Sequence, residues 1–123
     1  MAEFAFVHKQ SVTTLVGTAA ATILPAAPPQ QSYELDQVVA VAFDAATVTG
    51  RLMQFATVQG YSQYGTVLGT VVEPFQAAPG ESFIDGNGDS PVAYVSPGNL
   101  LYAVADSGSV LVKVVYRPIY RRG

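Results

Sequence analysis

The sequence has no cysteine. That excludes a disulfide framework, a thiolate metal centre and a cysteine nucleophile. It has one histidine, His8, close behind an apolar run. A single histidine is short of the ligand set a catalytic zinc normally uses, and no nucleophile-elbow motif accompanies it; an ordinary surface or interface histidine is the expectation. Charge is scarce as well, at 12% of residues against roughly 25% in soluble domains. The formal net charge of −3 offers no electrostatic footprint for nucleic acid. No apolar run approaches the ~18 residues that span a bilayer. The start, Met1-Ala2-Glu3-Phe4, lacks the basic and apolar regions of a signal peptide. The chain is therefore expected to be made in the cytoplasm and used without membrane insertion. Gly65-x-x-x-Gly69 is not followed by the Lys-Ser/Thr of a phosphate loop and lies in a strand-like pattern.

What is present is β-forming. The chain has 123 residues, half of them apolar, enough for one domain with a two-layer core. With so few charges, much of the outside must be Ser, Thr, Gln, Gly and Ala, a surface suited to burial against partners. Val110, Val112, Val114 and Tyr116 alternate with Leu111, Lys113, Val115 and Arg117, the period of a strand with one buried face. Leu100 to Ala105 precedes them across Asp106-Ser107-Gly108-Ser109, so Asn99 to Arg121 reads as a hairpin. Further strands are expected over 11–16, 18–24, 33–43, 51–58, 66–73 and 91–95, with a proline-dense connector at 25–31. Residues 33–43 place Tyr33, Leu35, Val39, Val41 and Phe43 on one face, with Gln37 as the exception. Pro74 is expected to end one strand, and Pro118 to end regular pairing or mark an edge. Seven to nine short strands without a long amphipathic helix predict an all-β, single-domain sandwich over 1–123. A jelly roll is the preferred topology, with an immunoglobulin-like sandwich as the alternative. Residues 1–10 are expected to form an arm and 118–123 a docking tail. Several strands are apolar on both faces, as when a sheet packs on its core and on another subunit.

Three groups of residues are candidate sites. Asp85, Asn87 and Asp89 alternate oxygen side chains with glycines, a spacing that can wrap calcium, the one cofactor the sequence suggests. Ser90 and Ser96 stand where a calcium loop of the EF-hand type has Gly and Glu, and a plain tight turn uses the same residues. Tyr33, Tyr61 and Tyr64 form a candidate platform for stacking sugar rings, the competing use being core or interface packing. Arg117, Tyr120, Arg121 and Arg122 form a basic aromatic tail suited to an acidic patch on a protein partner. Phe4 and Phe6 are candidate contacts at the other end. No catalytic residue is assigned.

The Ala/Gly/Thr/Val-rich strands, the Pro28-Pro29 connector and the Val110 to Tyr116 strand running into Arg117-Pro118 resemble the small jelly-roll virion proteins of tailed bacteriophages, particularly capsid decoration (cement) proteins. The resemblance implies a non-catalytic virion protein, a homotrimer seated on a major capsid protein lattice. A carbohydrate- or receptor-binding jelly roll, or another minor capsid or tail component, is the alternative.

Overall fold

The computed structural model describes residues 9–26, 28, 30–43, 46–55 and 69–120. Nine strands run through them: β1 (Gln10–Val16), β2 (Ala21–Leu24), β3 (Gln31–Ala42), β4 (Val48–Phe55), β5 (Thr70–Ala77), β6 (Ser82–Asp85), β7 (Ala93–Val95), β8 (Leu100–Ala105) and β9 (Val110–Tyr120). All paired neighbours are antiparallel. Sheet A has the order β1-β9-β3-β6, with β7 also on β3, and sheet B the order β2-β8-β4-β5. Strands β6 and β7 pair with successive parts of β3, Val38 to Val41 and Tyr33 to Leu35. Counted as one interrupted strand, they complete the eight-strand jelly roll. The immunoglobulin-like order is not the one formed.

The core fills the space between the sheets. Val16, Leu35, Val38, Val110, Val112 and Val114 from sheet A meet Leu24, Leu52, Phe75, Leu101 and Ala103 from sheet B. Val110, Val112 and Val114 are fully buried, and Tyr116 packs against the same cluster, as the alternation predicts. At Gly50 a side chain would collide with the Phe75 ring and the Val104 carbonyl oxygen, both 2.6 Å from the site of a Cβ. Glycine is what lets β4 lie this close to its neighbours.

Several expectations are corrected. The 100–105 and 110–116 strands exist, but they are not a hairpin: β8 pairs with β2 and β4, whereas β9 pairs with β1 and β3. The 106–109 turn carries the chain from one sheet to the other. In β3 the faces exchange partway along. Leu35 lies opposite Tyr116 and Gln37 opposite Val115, leaving Asp36 as a β-bulge. Tyr33 and Leu35 are therefore core residues, as are Val38 and Ala40, while Val39 and Val41 fall on the outward face. The single inserted residue also accounts for Gln37 breaking the simple alternation.

The ends of the ladder differ from expectation too. Gln10, placed in the arm, opens β1 opposite Tyr116. Pro118, placed in the tail, continues β9 opposite Tyr33, and the strand runs on to Tyr120. Proline is tolerated there because β1 pairs with β9 only as far as Tyr116. Likewise Pro74 lies within β5, the last strand of sheet B. Residues 82–84, outside every expected strand, form most of β6.

Candidate functional site

The outward face of sheet A is the first feature that points to function. Register fixes its rows. Leu15, Leu111 and Val41 lie side by side across β1, β9 and β3. Thr13, Lys113, Val39 and Ile84 form the next row, reaching β6. Leu15, Val41, Phe43 and Ile84 are exposed, and Lys113 is the charge within these rows. An antiparallel sheet solvated on one face normally carries polar residues there. Here apolar residues are contiguous across four strands, a pattern more usual of interaction surfaces than of solvated ones.

The second feature lies at the opposite end of the same sheet. The Asp36 bulge sits among charged groups. Glu34 lies opposite Arg117, whose Nε donates to Glu34 Oε2 at 2.6 Å. Arg117 Nη2 is 3.6 Å from Asp36 Oδ2, and Lys9 Nζ is 3.8 Å from that oxygen on the side of β1. Lys9 also lies 4.0 Å from Asp89 Oδ1. The Asp36 side chain is fully buried, and neither carboxylate oxygen has a hydrogen-bond partner. Burial and the neighbouring Glu34 push its carboxyl above the usual range, against the pull of Arg117 and Lys9.

The 86–92 segment packs along the bulge. Gly88 N–H donates to the Asp36 carbonyl, Val92 N–H to the Leu35 carbonyl, and Gln37 Nε2 to the Gly86 carbonyl. Gly86 has φ of +89°, and a Cβ there would stand 2.4 Å from the Asp36 carbonyl oxygen, so both conformation and space require glycine. The cluster thus ties together β3, β9, the start of β1 and the 86–92 loop. It is an electrostatic fastening in which each cation lies between carboxylates.

The predicted site residues fall as follows. Asp85 pairs with Val38, and its carboxyl lies beside that of Glu73 of β5. Burial and Asp85 push the Glu73 carboxyl up to about 7. Asn87 Oδ1 accepts the Asp89 N–H at 2.8 Å, closing a local turn. Asp85 thus turns towards β5 and Asp89 towards Lys9, while Asn87 closes the loop's own turn. Among the described residues no group of three or more His, Cys, Asp or Glu side chains gathers to hold a metal ion.

Tyr33 is buried, edge-on to Tyr116 at 5.7 Å between ring centroids, and its hydroxyl donates to the Pro25 carbonyl. It is a core residue, which corrects its place in a stacking platform. Arg117 is likewise committed to Glu34 and Asp36 within the fold, which corrects its assignment to a docking tail. Tyr120 ends β9 opposite Gln31. Phe4, Phe6, His8, Tyr61, Tyr64, Arg121 and Arg122 lie outside the described residues.

Sequence reasoning missed Lys9, Glu34 and Asp36. The available signal was two acids, two residues apart, inside an otherwise uncharged strand.

No protein-family model matches the chain, and no curated protein matches it. A solved structure of Bacillus endospore appendages, which form a novel family of disulfide-linked pili, is similar to it at 19% identity. The likeness covers 94% of this chain and 87% of that one, with a TM-score of 0.52. At that identity it shows a shared β-rich fold. No helix among the described residues is long and apolar enough to cross a membrane.

Proposed function

We propose that this chain is a non-catalytic structural subunit that works by packing against other protein subunits in a larger assembly. The observation that carries the reading is the apolar outward face of sheet A, where Leu15 and Ile84 are 55% and 61% exposed. Such a face stays out of water when neighbouring subunits cover it. The appendage structure, whose chain forms pili, supports the same class of role. This sequence has no cysteine, so its own subunit contacts are non-covalent with respect to disulfides.

Within that class we favour a capsid-decorating virion protein, assembled as a homotrimer on a phage capsid lattice, from the resemblance of its strands and connectors. A pilus subunit is the second reading, favoured by the fold neighbour. Analytical ultracentrifugation of the full chain, with negative-stain electron microscopy, tests both levels. The expected result is a species well above the 12.9 kDa monomer, and replacement of Ile84 by lysine should weaken it. Compact trimers agree with decoration and filaments with the pilus reading. A monomer at every concentration overturns the assembly reading.

A further inference from the structure

Sheet edges expose unpaired backbone groups, and proteins shield them with short strands, bulges, prolines or inward charges. Four of the edges here carry such devices. β6 and β7 have four and three residues. β2 has four, with a register shift against β8. β5 contains Pro74 and Glu73 and shifts register against β4. β1 differs from all of these. Its seven residues, Gln-Ser-Val-Thr-Thr-Leu-Val, contain no proline and no charge, and they hold an unbroken register with β9. Among the described residues no strand pairs with its other side.

The register identifies which backbone groups are free. Phe43 N–H donates to the Ser109 carbonyl, extending the β3–β9 ladder. Hydrogen-bonded positions alternate along an antiparallel pair. Leu111, Lys113 and Val115 therefore bond towards β3, and Val110, Val112, Val114 and Tyr116 towards β1. Their partners Val16, Thr14, Val12 and Gln10 face β9. It follows that the N–H and C=O groups of Ser11, Thr13 and Leu15 point away from the sheet.

We propose that β1 is an interaction edge that pairs antiparallel with β1 of a second copy of this chain, about a two-fold axis at Thr13. This rests on the reading of the chain as an assembly subunit; in a homotrimer such a two-fold joins neighbouring trimers, because the contacts within a three-fold ring are heterologous. The strand is its own complement. Thr13 faces Thr13 of the second copy, Ser11 faces Leu15, and Val12 faces Thr14. The three outward residues on each side form about six ladder hydrogen bonds. No like charges oppose one another, and threonine pairs favourably with threonine across strands. Positions that meet have the same parity, so Val12 and Val16 stay on the core side. Leu15 stays on the outward side and carries the apolar rows of sheet A into the second copy. The join thus makes one continuous sheet and one doubled apolar face, the interface geometry that a closed two-fold requires.

Hydrogen exchange of the full chain, read by NMR at low and high protein concentration, tests the proposal. Val12, Thr14 and Val16 amides are protected by β9 at both concentrations. Ser11, Thr13 and Leu15 amides are expected to exchange freely when dilute and to become protected as the concentration rises. Thr13→Pro removes an outward N–H and leaves the β1–β9 ladder intact. It is expected to weaken self-association roughly ten- to thirtyfold while the β9-facing amides keep their protection. Thr13→Lys, which keeps the N–H and sets two ammonium groups opposite each other, should weaken it as well. If the chain assembles while Ser11, Thr13 and Leu15 stay unprotected, the pairing is overturned and the assembly reading stands. If the chain is monomeric throughout, both fall.

Discussion

The outward faces of the two sheets are both rich in apolar residues, yet they end in different environments. On sheet B, Tyr102 and Val104 are wholly buried and Met53 is 3% exposed, although they lie outside the cluster that Leu52, Leu101 and Ala103 join between the sheets. Phe55, at the end of β4, and Val71, on β5, emerge. On sheet A the corresponding residues, Leu15, Val41 and Ile84, are open. The same two-faced strand pattern therefore serves two purposes. In β8 it satisfies burial within the chain; in β1, β3 and β6 it leaves apolar side chains open. An exposed apolar row is informative because its counterpart across the molecule shows that this chain can bury one.

The sharpest way to break this comparison is truncation on each face. Tyr102→Ala should cost about 3–5 kcal/mol of folding stability, the range for deleting a buried aromatic side chain. Ile84→Ala should change it by less than about 0.5 kcal/mol. Urea unfolding of the two variants measures the difference, and equal losses would remove the distinction between the faces.

A smaller effect is expected from the charged end of sheet A. Arg117→Ala leaves Glu34 and Asp36 facing each other with Lys9 as their remaining cation. The loss should be about 2–3 kcal/mol, below the full cost of orphaning a wholly buried charge because Arg117 is partly solvated. Asp36→Asn should cost less than Arg117→Ala, since it removes a carboxylate that has no hydrogen bond. Comparing the two by urea unfolding tests whether the arginine stabilises chiefly by neutralising buried acids.

The weakest effect is a dependence on pH. Glu73 is raised to about 7 in the fold from an ordinary value of 4.5, so the folded chain takes up its proton first. Stability should rise as pH falls from about 7 towards 4.5 and level off for this group below that. Asp36, also raised, contributes in the same direction. A gain of about 1–2 kcal/mol is expected, water screening keeping it below the full shift. Thermal melts across this range should show it, and Glu73→Gln should flatten the slope. A melting temperature that falls steadily from pH 7 to 5 in the native chain would contradict the assignment.

Much of the strand content was legible because alternation is local. Val110, Val112, Val114 and Tyr116 declare a core face in seven residues of sequence, and they keep it. The Asp36 cluster was hidden because Glu34 and Asp36 come from β3, Arg117 from β9 and Lys9 from just before β1, and only the β1-β9-β3 order makes them neighbours. The 85–89 loop was visible as a turn, but its Asp85 contact to Glu73 depends on two sheet edges meeting.

By itself the sequence determined an all-β chain, poor in charge, with no cysteine and with strands too apolar for solvent on both faces. Those properties follow from side-chain chemistry and a period of two residues. Partnership was decided by the tertiary structure. Period-two alternation states that a strand has faces but not which strand lies beside it, so β8 and β9, adjacent in sequence, separated into different sheets. One inserted residue at Asp36 then exchanged the faces of β3. The choice between a covered and an open apolar surface came last, and it required both sheets in place.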